Sequence, residues 1–149
     1  MLFLLFITSG LFLGWSLGAN DAANVFGTAV GSRMIKFRKA AIIASLFVIL
    51  GAVLQGSGAT TTLSQLGSID ALGGAFTVAL CSAIVVTWMT YYKLPVSTSQ
   101  AIVGAIMGWC YYTASPVDYS VLTVIATTWF TGPLLGAIFS ILLYLLMRN

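Results

Sequence analysis

Long apolar runs alternate with short polar stretches along the whole chain. The runs cover residues 1–19, 40–56, 74–92, 101–112 and 119–147. A helix needs about 20 apolar residues to cross the hydrocarbon core of a bilayer, which is about 30 Å thick. The pattern therefore predicts an all-α polytopic membrane protein, with a single transmembrane domain over residues 1–149. We expect about five transmembrane segments, or four together with a re-entrant half-helix at 95–112.

The first apolar run passes without interruption into a polar cluster at residues 20–24. No basic residue precedes this run, as one would in a secretory signal peptide, so we interpret it as a span. A single helix over residues 1–32 would be roughly 48 Å long, which exceeds the thickness of the hydrocarbon core. We therefore expect the first helix to tilt strongly or to break at the polar cluster, which Gly18 and Gly27 flank.

The composition narrows the class of protein. Of the 149 residues, 60% are hydrophobic and only 6% are charged, whereas a soluble domain carries roughly 25% charged residues. This excludes a soluble enzyme, a disordered protein and a nucleic-acid-binding protein. The only acidic residues are Asp21, Asp70 and Asp118, and there is no histidine. Because catalysis needs a base held beside its partner, we expect neither enzymatic activity nor a cofactor.

The basic residues predict the orientation of the protein in the membrane. If successive spans alternate in direction, Asp70 and Asp118 fall on one side of the membrane. All six basic residues fall on the other, namely Arg33, Lys36, Arg38, Lys39, Lys93 and Arg148. Basic loops stay in the cytoplasm. We therefore expect a multi-pass protein of the inner or plasma membrane, surrounded by lipid, with its N-terminus outside and its C-terminus in the cytoplasm.

Glycines recur at a spacing of four residues on three of the predicted helices. Gly10, Gly14 and Gly18 form one such row, and the further pairs are Gly27 and Gly31, Gly104 and Gly108, and Gly132 and Gly136. Small residues at this spacing let helix backbones approach each other closely in membranes. The spacing predicts close helix packing at most of these positions, and Gly18 and Gly27 are the exceptions because they flank the polar cluster.

The polar cluster in the first span forms the first candidate site. On a helix, Asn20, Asn24 and Thr28 share one stripe, and Asp21 lies beside it. A carboxylate at membrane depth costs about 2.5–3.5 kcal/mol or more, so it marks an ion or substrate path by default. Amide, hydroxyl and carboxylate oxygens suit a hard cation such as Na⁺. The other interpretation is that the amides only hydrogen-bond a neighbouring helix.

The second candidate site follows Pro95, in the stretch Ser97-Thr98-Ser99. Proline and hydroxyl residues are typical of a helix start, where free backbone N–H groups and the positive end of the helix dipole attract anions. One interpretation is an ordinary helix cap, which would explain one hydroxyl, whereas three in succession in a chain this apolar favour a binding site. Together with the first site, these residues predict cation-coupled transport of an oxyanion.

Both stretches resemble motifs of the inorganic phosphate transporter (PiT) family. GANDAANVFGT at 18–28, followed by VGS at 30–32, is similar to the family signature GANDxANxFGTxVGS, and PVSTSQAIVGA at 95–105 resembles PVSTTHAIVGA. The resemblance covers nearly the whole chain. It implies secondary transport of phosphate driven by Na⁺ or H⁺, and some relatives of the family carry sulfate.

The resemblance also implies roles for individual residues. Phosphate would be bound by Asp21, Asn24, Ser97, Thr98 and Ser99. The coupling cation would be bound by Asn20, Asp21, Asn24 and Thr28, with Na⁺ held chiefly by the first three of these. This sequence has Ser99 and Gln100 where the family commonly has Thr and His, so any pH-dependent role of that histidine is absent.

The family carries each motif twice, in two inverted halves, whereas this chain carries each motif once. The chain is therefore expected to be one half of a transporter, with the second inverted half on a separate chain or in a missing C-terminal repeat. A homodimer of oppositely inserted copies is disfavoured, because all basic residues fall on one predicted side. The remaining alternatives are an inactive remnant and a membrane subunit that packs with a partner half without transporting.

Overall fold

Five α-helices follow one another in a computed structural model that describes residues 2–69 and 72–148. They are α1 (Leu2–Gly31), α2 (Phe37–Leu66), α3 (Leu72–Tyr91), α4 (Thr98–Thr113) and α5 (Tyr119–Arg148). Within those residues, the one extended pairing is an isolated antiparallel bridge between Gly67 and Val117. The predicted all-α architecture is confirmed. Asp70, which entered the orientation argument, lies outside the described residues.

Three of these helices, α2, α3 and α5, are long and apolar enough to cross a membrane. Helix α4 has 16 residues and is about 24 Å long, which is shorter than the hydrocarbon core. This length fits the half-helix expected at 95–112. Membrane crossing by α1 and α4 stays a prediction.

The expected break in the first helix is wrong, because α1 continues without interruption from Leu2 to Gly31. The side chains of Asn20 and Asp21 bond to groups outside the backbone of α1. They therefore do not compete with the backbone hydrogen bonds of the helix. Ala22 and Ala23, which follow, are the residue type that favours helix most.

Helix α2 also extends further than expected, to Leu66 instead of Gly56. The additional turns contain consecutive threonines whose hydroxyls donate to carbonyl oxygens one turn earlier. Thr60 Oγ1 lies 3.0 Å from the Gly56 oxygen, and Thr61 Oγ1 lies 2.9 Å from the Ser57 oxygen. Because the helix itself satisfies these hydroxyls, the polar stretch does not end it.

The chain divides into two compact units, the first ending at Val117 and the second beginning at Asp118. In the first unit, α1 packs mainly against α3, α3 packs against α4, and α2 touches α1 and α4. Its buried apolar core includes Leu66, Ala83, Val86, Val103, Ile106 and Cys110. The expectation of one domain over residues 1–149 stays a prediction.

The glycines that permit close packing differ from those predicted. Nothing lies within 4 Å of a Cβ built on Gly10, Gly14, Gly18, Gly104 or Gly108. A Cβ on Gly74 would instead lie 2.7 Å from Cζ2 of Trp109, and one on Gly67 would collide with Sγ of Cys110. Close approach therefore occurs where α3 and the end of α2 meet α4.

The second unit consists of α5 and its first-turn cap, Asp118. Its Oδ1 accepts hydrogen bonds from the backbone N–H groups of Ser120 (2.8 Å) and Val121 (3.2 Å), and from the Ser120 hydroxyl. These bonds, chiefly the one from the Ser120 hydroxyl, hold the pKa of Asp118 below its ordinary value. The capping satisfies N–H groups that otherwise lack partners at a helix start.

Candidate functional site

A cavity of about 540 Å³ in the first unit brings the two polar constellations together. It lies between α1, the second half of α2 and the start of α4. Its polar lining residues are Asp21, Asn24, Ser97, Thr98 and Ser99, and the rest of the wall is formed by Leu17, Ala59, Leu63, Pro95, Val96 and Ile102. Every residue expected to bind phosphate therefore borders one space, although 73 positions separate Asn24 from Ser97 in the chain.

The face of α1 that lines the cavity differs from the predicted stripe of Asn20, Asn24 and Thr28. Leu17, Asp21 and Asn24 line the cavity, and their spacing of four and then three residues is that of one helix face. Asn20 is only 3% exposed and is not among the lining residues. Thr28 is exposed one turn beyond Asn24 and does not line the cavity either. The helix face that meets the cavity is thus centred on Asp21.

Helix α4 presents its N-terminus to the same space. Ser97 is the cap residue, and its Oγ accepts a hydrogen bond from the N–H of Gln100 at 3.4 Å. Ser97 Oγ and Ser99 Oγ are hydrogen-bonded at 3.0 Å. Thr98 is 5% exposed, so its side chain is held between the elements that form the cavity wall. Hydroxyls and first-turn N–H groups together offer hydrogen-bond donors to an anion.

The carboxylate of Asp21 connects the two halves of the site. Its Oδ1 accepts hydrogen bonds from Asn20 Nδ2 at 3.0 Å and from Thr98 Oγ1 at 3.4 Å. Among the described residues, no hydrogen bond is made to Oδ2 of Asp21. One carboxylate oxygen is therefore tethered, and the other remains available to a ligand.

Asn20 makes a junction between three segments. Its Nδ2 donates to the carbonyl oxygen of Val96 at 2.7 Å, in the connection between α3 and α4. Its Oδ1 accepts a hydrogen bond from Thr90 Oγ1 at 3.4 Å, near the end of α3. Asn20 therefore hydrogen-bonds a neighbouring helix, α3, and its role as a cation ligand stays a prediction.

The sequence did not predict the apolar residues that line the cavity, and it did not predict that Thr90 hydrogen-bonds to Asn20. Leu17 could have been found from helical spacing alone, since it lies one turn before Asp21 on the same face. Ala59 and Leu63 belong to α2 and are one turn apart, next to the polar stretch of that helix, but nothing in the pattern relates them to Asp21. Thr90 resembles any other threonine in an apolar run, so no local signal distinguishes it.

The charges of the lining residues limit what the cavity can bind. Asp21 is the one acidic residue of the lining set, and the set contains no lysine or arginine. Like charges about 4 Å apart repel by about 4 kcal/mol at an effective dielectric constant near 20. A hydrogen bond to a charged group contributes a net gain of about 1.5–3 kcal/mol. The repulsion therefore offsets much of what the hydroxyl donors contribute, and a cation that neutralised the carboxylate would remove it.

Comparisons with known proteins give a family match and several similar proteins. Residues 17–149 match the model of the phosphate transporter family. The chain is 35% identical to the chloroplastic inorganic phosphate transporter 2-1 of Arabidopsis thaliana, with 94% of the chain and 26% of that protein covered. It is 34% identical to a protein of Pyrococcus furiosus named as a phosphate permease, over 95% of the chain and 37% of that protein. It is 36% identical to the sodium-dependent phosphate transporter 1 of Mus musculus, over 88% of the chain and 21% of that protein.

These relatives are much longer than the chain. The chain spans 21% to 37% of the length of the three named here. No solved structure matches it.

Proposed function

Since its residues 17–149 match the family model, the chain belongs to the phosphate transporter family, and we propose that it forms one half of a cation-coupled transporter of inorganic phosphate. Relatives that bear the names of phosphate transporters and permeases support transport of phosphate, as opposed to catalysis. The single observation that carries the proposal is the cavity in which a carboxylate and an amide oxygen face three consecutive hydroxyls.

The phosphate site in this proposal is the start of α4. Ser97, Thr98 and Ser99 line the cavity, and the positive end of the α4 dipole favours a negative ligand there. Asn24 on α1 adds an amide group that can donate to a phosphate oxygen. This donor set is neutral, so it binds the anion without holding it too strongly to be released.

The cation site in this proposal is centred on Asp21. Its Oδ2 accepts no hydrogen bond within the described chain, and Asn24 lies three residues later on the same helix face and borders the same cavity. Carboxylate and amide oxygens suit Na⁺. The mouse relative is named as sodium-dependent, which supports Na⁺ as the coupling ion. A proton on Asp21 would neutralise the same charge and is the alternative.

Coupling follows from the repulsion between phosphate and an unneutralised Asp21. In this mechanism the cation binds first and cancels the charge of the carboxylate, after which phosphate binds beside it. Each ligand then raises the affinity of the protein for the other, since binding free energies of two sites are linked reciprocally. An imposed Na⁺ gradient therefore drives phosphate movement.

A second motif-bearing half, on a separate chain or elsewhere in a longer one, completes the transporter in this proposal. The greater length of the relatives supports it, as does the exposure of Asn24 and Ser99 at the cavity. The basic residues support an orientation with the N-terminus outside and the C-terminus in the cytoplasm.

The experiment is uptake of radiolabelled phosphate into membrane vesicles from cells that carry the chain together with its second half, with and without an inward Na⁺ gradient. We expect gradient-dependent uptake from the wild type, and loss of it from Asp21→Asn, which removes the charge but keeps the size of the side chain. Asp118→Asn is the matched control: the same change is made outside the cavity, and asparagine still caps a helix, so uptake should stay unchanged.

Three outcomes would change the proposal. Full gradient-driven uptake by Asp21→Asn would remove Asp21 from the cation site. Uptake driven equally well by a pH gradient without Na⁺ would assign H⁺ as the coupling ion. If neither phosphate nor Na⁺ raises the melting temperature of the purified protein, the chain is a packing subunit, because a ligand that binds the native state stabilises it. Excess unlabelled sulfate in a parallel assay tests whether the site discriminates between tetrahedral anions.

A further inference from the structure

We propose that Asn20 is a positioning residue that sets the geometry of both binding sites without contacting the cation. This inference rests on the proposed function, because it assigns a role within the same cation and phosphate sites. It replaces the sequence-based expectation that Asn20 is a Na⁺ ligand.

The hydrogen bonds and the burial of Asn20 hold its amide away from a ligand in the cavity. Both donor positions of Nδ2 are used, one by the Val96 carbonyl at 2.7 Å and one by Asp21 Oδ1 at 3.0 Å. Its Oδ1 accepts from the hydroxyl of Thr90 at 3.4 Å. The residue is 3% exposed, and it is not among the residues that line the cavity.

These bonds act on the phosphate site through the backbone. Val96 immediately precedes Ser97, the cap residue of α4. By holding the Val96 carbonyl, Asn20 fixes the point at which α4 begins, and with it the hydroxyls of Ser97 and Thr98. The partner of the third bond, Thr90, lies near the end of α3. One side chain of α1 therefore ties together both ends of the connection between α3 and α4.

The same amide acts on the cation site through Asp21. Asn20 Nδ2 and Thr98 Oγ1 both donate hydrogen bonds to Oδ1 of Asp21. These two bonds fix the rotation of the carboxylate about its side-chain bond. Oδ2 is then the oxygen left for a cation. Loss of the Asn20 donor frees the carboxylate to rotate and leaves the Val96 carbonyl without this partner, so the cation and phosphate sites should weaken together.

Asn20→Asp separates positioning from direct ligation, because the two roles predict changes of opposite sign. A carboxylate has the size of the amide but no N–H donor, and it binds a cation better than an amide oxygen does. If Asn20 ligates Na⁺, Asn20→Asp retains or lowers the Na⁺ concentration for half-maximal uptake. If Asn20 positions its neighbours, that concentration and the KM for phosphate both rise, by about tenfold or more for a lost hydrogen bond to a charged group. Uptake is measured at alkaline pH, which keeps the introduced side chain in its carboxylate form.

Two further variants keep the test interpretable if Asn20→Asp folds poorly. Thr90→Val keeps the shape of the side chain and removes only the long bond to Asn20 Oδ1, so it should raise both parameters in the same direction by about two- to threefold. Ser16→Ala is the matched control. Ser16 is as buried as Asn20 and lies one turn earlier in α1. Within the described part of the chain, its hydroxyl bonds only to the Leu13 carbonyl in its own helix. It should leave both parameters unchanged.

The outcomes distinguish this inference from the proposed function. Tighter or unchanged Na⁺ dependence in Asn20→Asp, with wild-type uptake intact, overturns the positioning role alone. So does a variant that only melts at a lower temperature while the Na⁺ and phosphate dependence of its uptake stays at wild-type values. If the wild type shows neither gradient-driven uptake nor stabilisation by Na⁺ and phosphate, the proposed function fails, and the inference fails with it.

Discussion

Asp21 and Asp118 show how differently the same side chain acts in two settings. Asp21 is half-buried and borders the cavity, with one oxygen tethered by Asn20 and Thr98. Asp118 is exposed, and its Oδ1 accepts hydrogen bonds from two backbone N–H groups in the first turn of α5. The hydrogen bonds in the first case fix the rotation of a carboxylate at the cavity, whereas the bonds in the second case stabilise a helix start. The difference lies in the partners, since the residue type is identical.

Acidification tests the cap at Asp118. Its folded-state pKa lies below the ordinary value of 3.8 because it accepts hydrogen bonds from Ser120 and Val121. The ionised form is therefore favoured in the folded state, and its contribution to stability is fully present above the ordinary pKa. That contribution is lost as the pH falls through the lowered folded-state pKa.

We expect the melting temperature of the wild type, followed by circular dichroism in detergent, to include an acid-dependent decrease that Asp118→Asn lacks. Asparagine also caps helices but does not titrate, so the difference between the two proteins isolates this carboxyl. Parallel curves for the two proteins down to about pH 3 would show that the cap contributes no pH dependence.

At the scale of elements, contacts between helices depend on a few glycines that spacing did not identify. Gly74 on α3 lies against the ring of Trp109 on α4, whereas Gly104 on α4 has open space around its Cβ position. The row of glycines on α1 likewise has nothing within 4 Å at Gly10, Gly14 or Gly18. A spacing of four residues is therefore compatible with close packing without being sufficient for it.

Gly74→Ala and Gly104→Ala should change stability in opposite directions. The added methyl group at Gly74 would lie 2.7 Å from Cζ2 of Trp109, and overpacking of this kind costs about 1–3 kcal/mol. At Gly104 the methyl group meets nothing, and alanine favours helix over glycine by up to about 1 kcal/mol. Thermal unfolding of the two variants in the same detergent measures the difference. Equal shifts would mean that α3 and α4 are not in contact at Trp109.

At the scale of the whole molecule, the positions of the charged residues bear on orientation in the membrane, and the length of the chain bears on how much of its relatives it corresponds to. The basic residues predict which side of the membrane each connection occupies, while the chain covers only 21% to 37% of three longer relatives. A transporter built from two inverted halves needs opposite charge bias in the two halves. The one-sided bias of this chain therefore favours a distinct second half over a second copy.

Cysteine labelling tests the proposed orientation. In a background in which the exposed Cys81 is replaced by serine and the buried Cys110 by alanine, Lys36→Cys and Ser68→Cys place single reporters in the connections after α1 and after α2. An impermeant maleimide added to intact cells should label Ser68→Cys, whereas Lys36→Cys should react only after the membrane is opened. The reverse pattern would contradict an outside N-terminus, and labelling of both variants in intact cells would indicate mixed insertion.

The class of the protein, its five helices and the two groups of candidate site residues could all be predicted from local features. Apolar runs of about 20 residues and very few charges require a membrane environment, because so many exposed apolar side chains are not stable in water. The boundaries of α1 and α2 could not be predicted. Whether Asn20 or Thr60 interrupts a helix depends on where its side chain finds a partner, and for Asn20 that partner is Val96, 76 positions away.

Residue types and spacing along the chain were thus enough to identify Asp21, Asn24 and the Ser97–Ser99 stretch, because each is polar where the surrounding pattern is apolar. The packing of α1 against α3 and of α3 against α4 established that these residues share one cavity. The same packing gives Asn20 and Asp21 different environments, because neighbours in sequence point to different faces of a helix. Asn20 is buried against α3, whereas Asp21 borders the cavity. Periodicity describes the faces of a helix, and only its neighbours determine what each face meets.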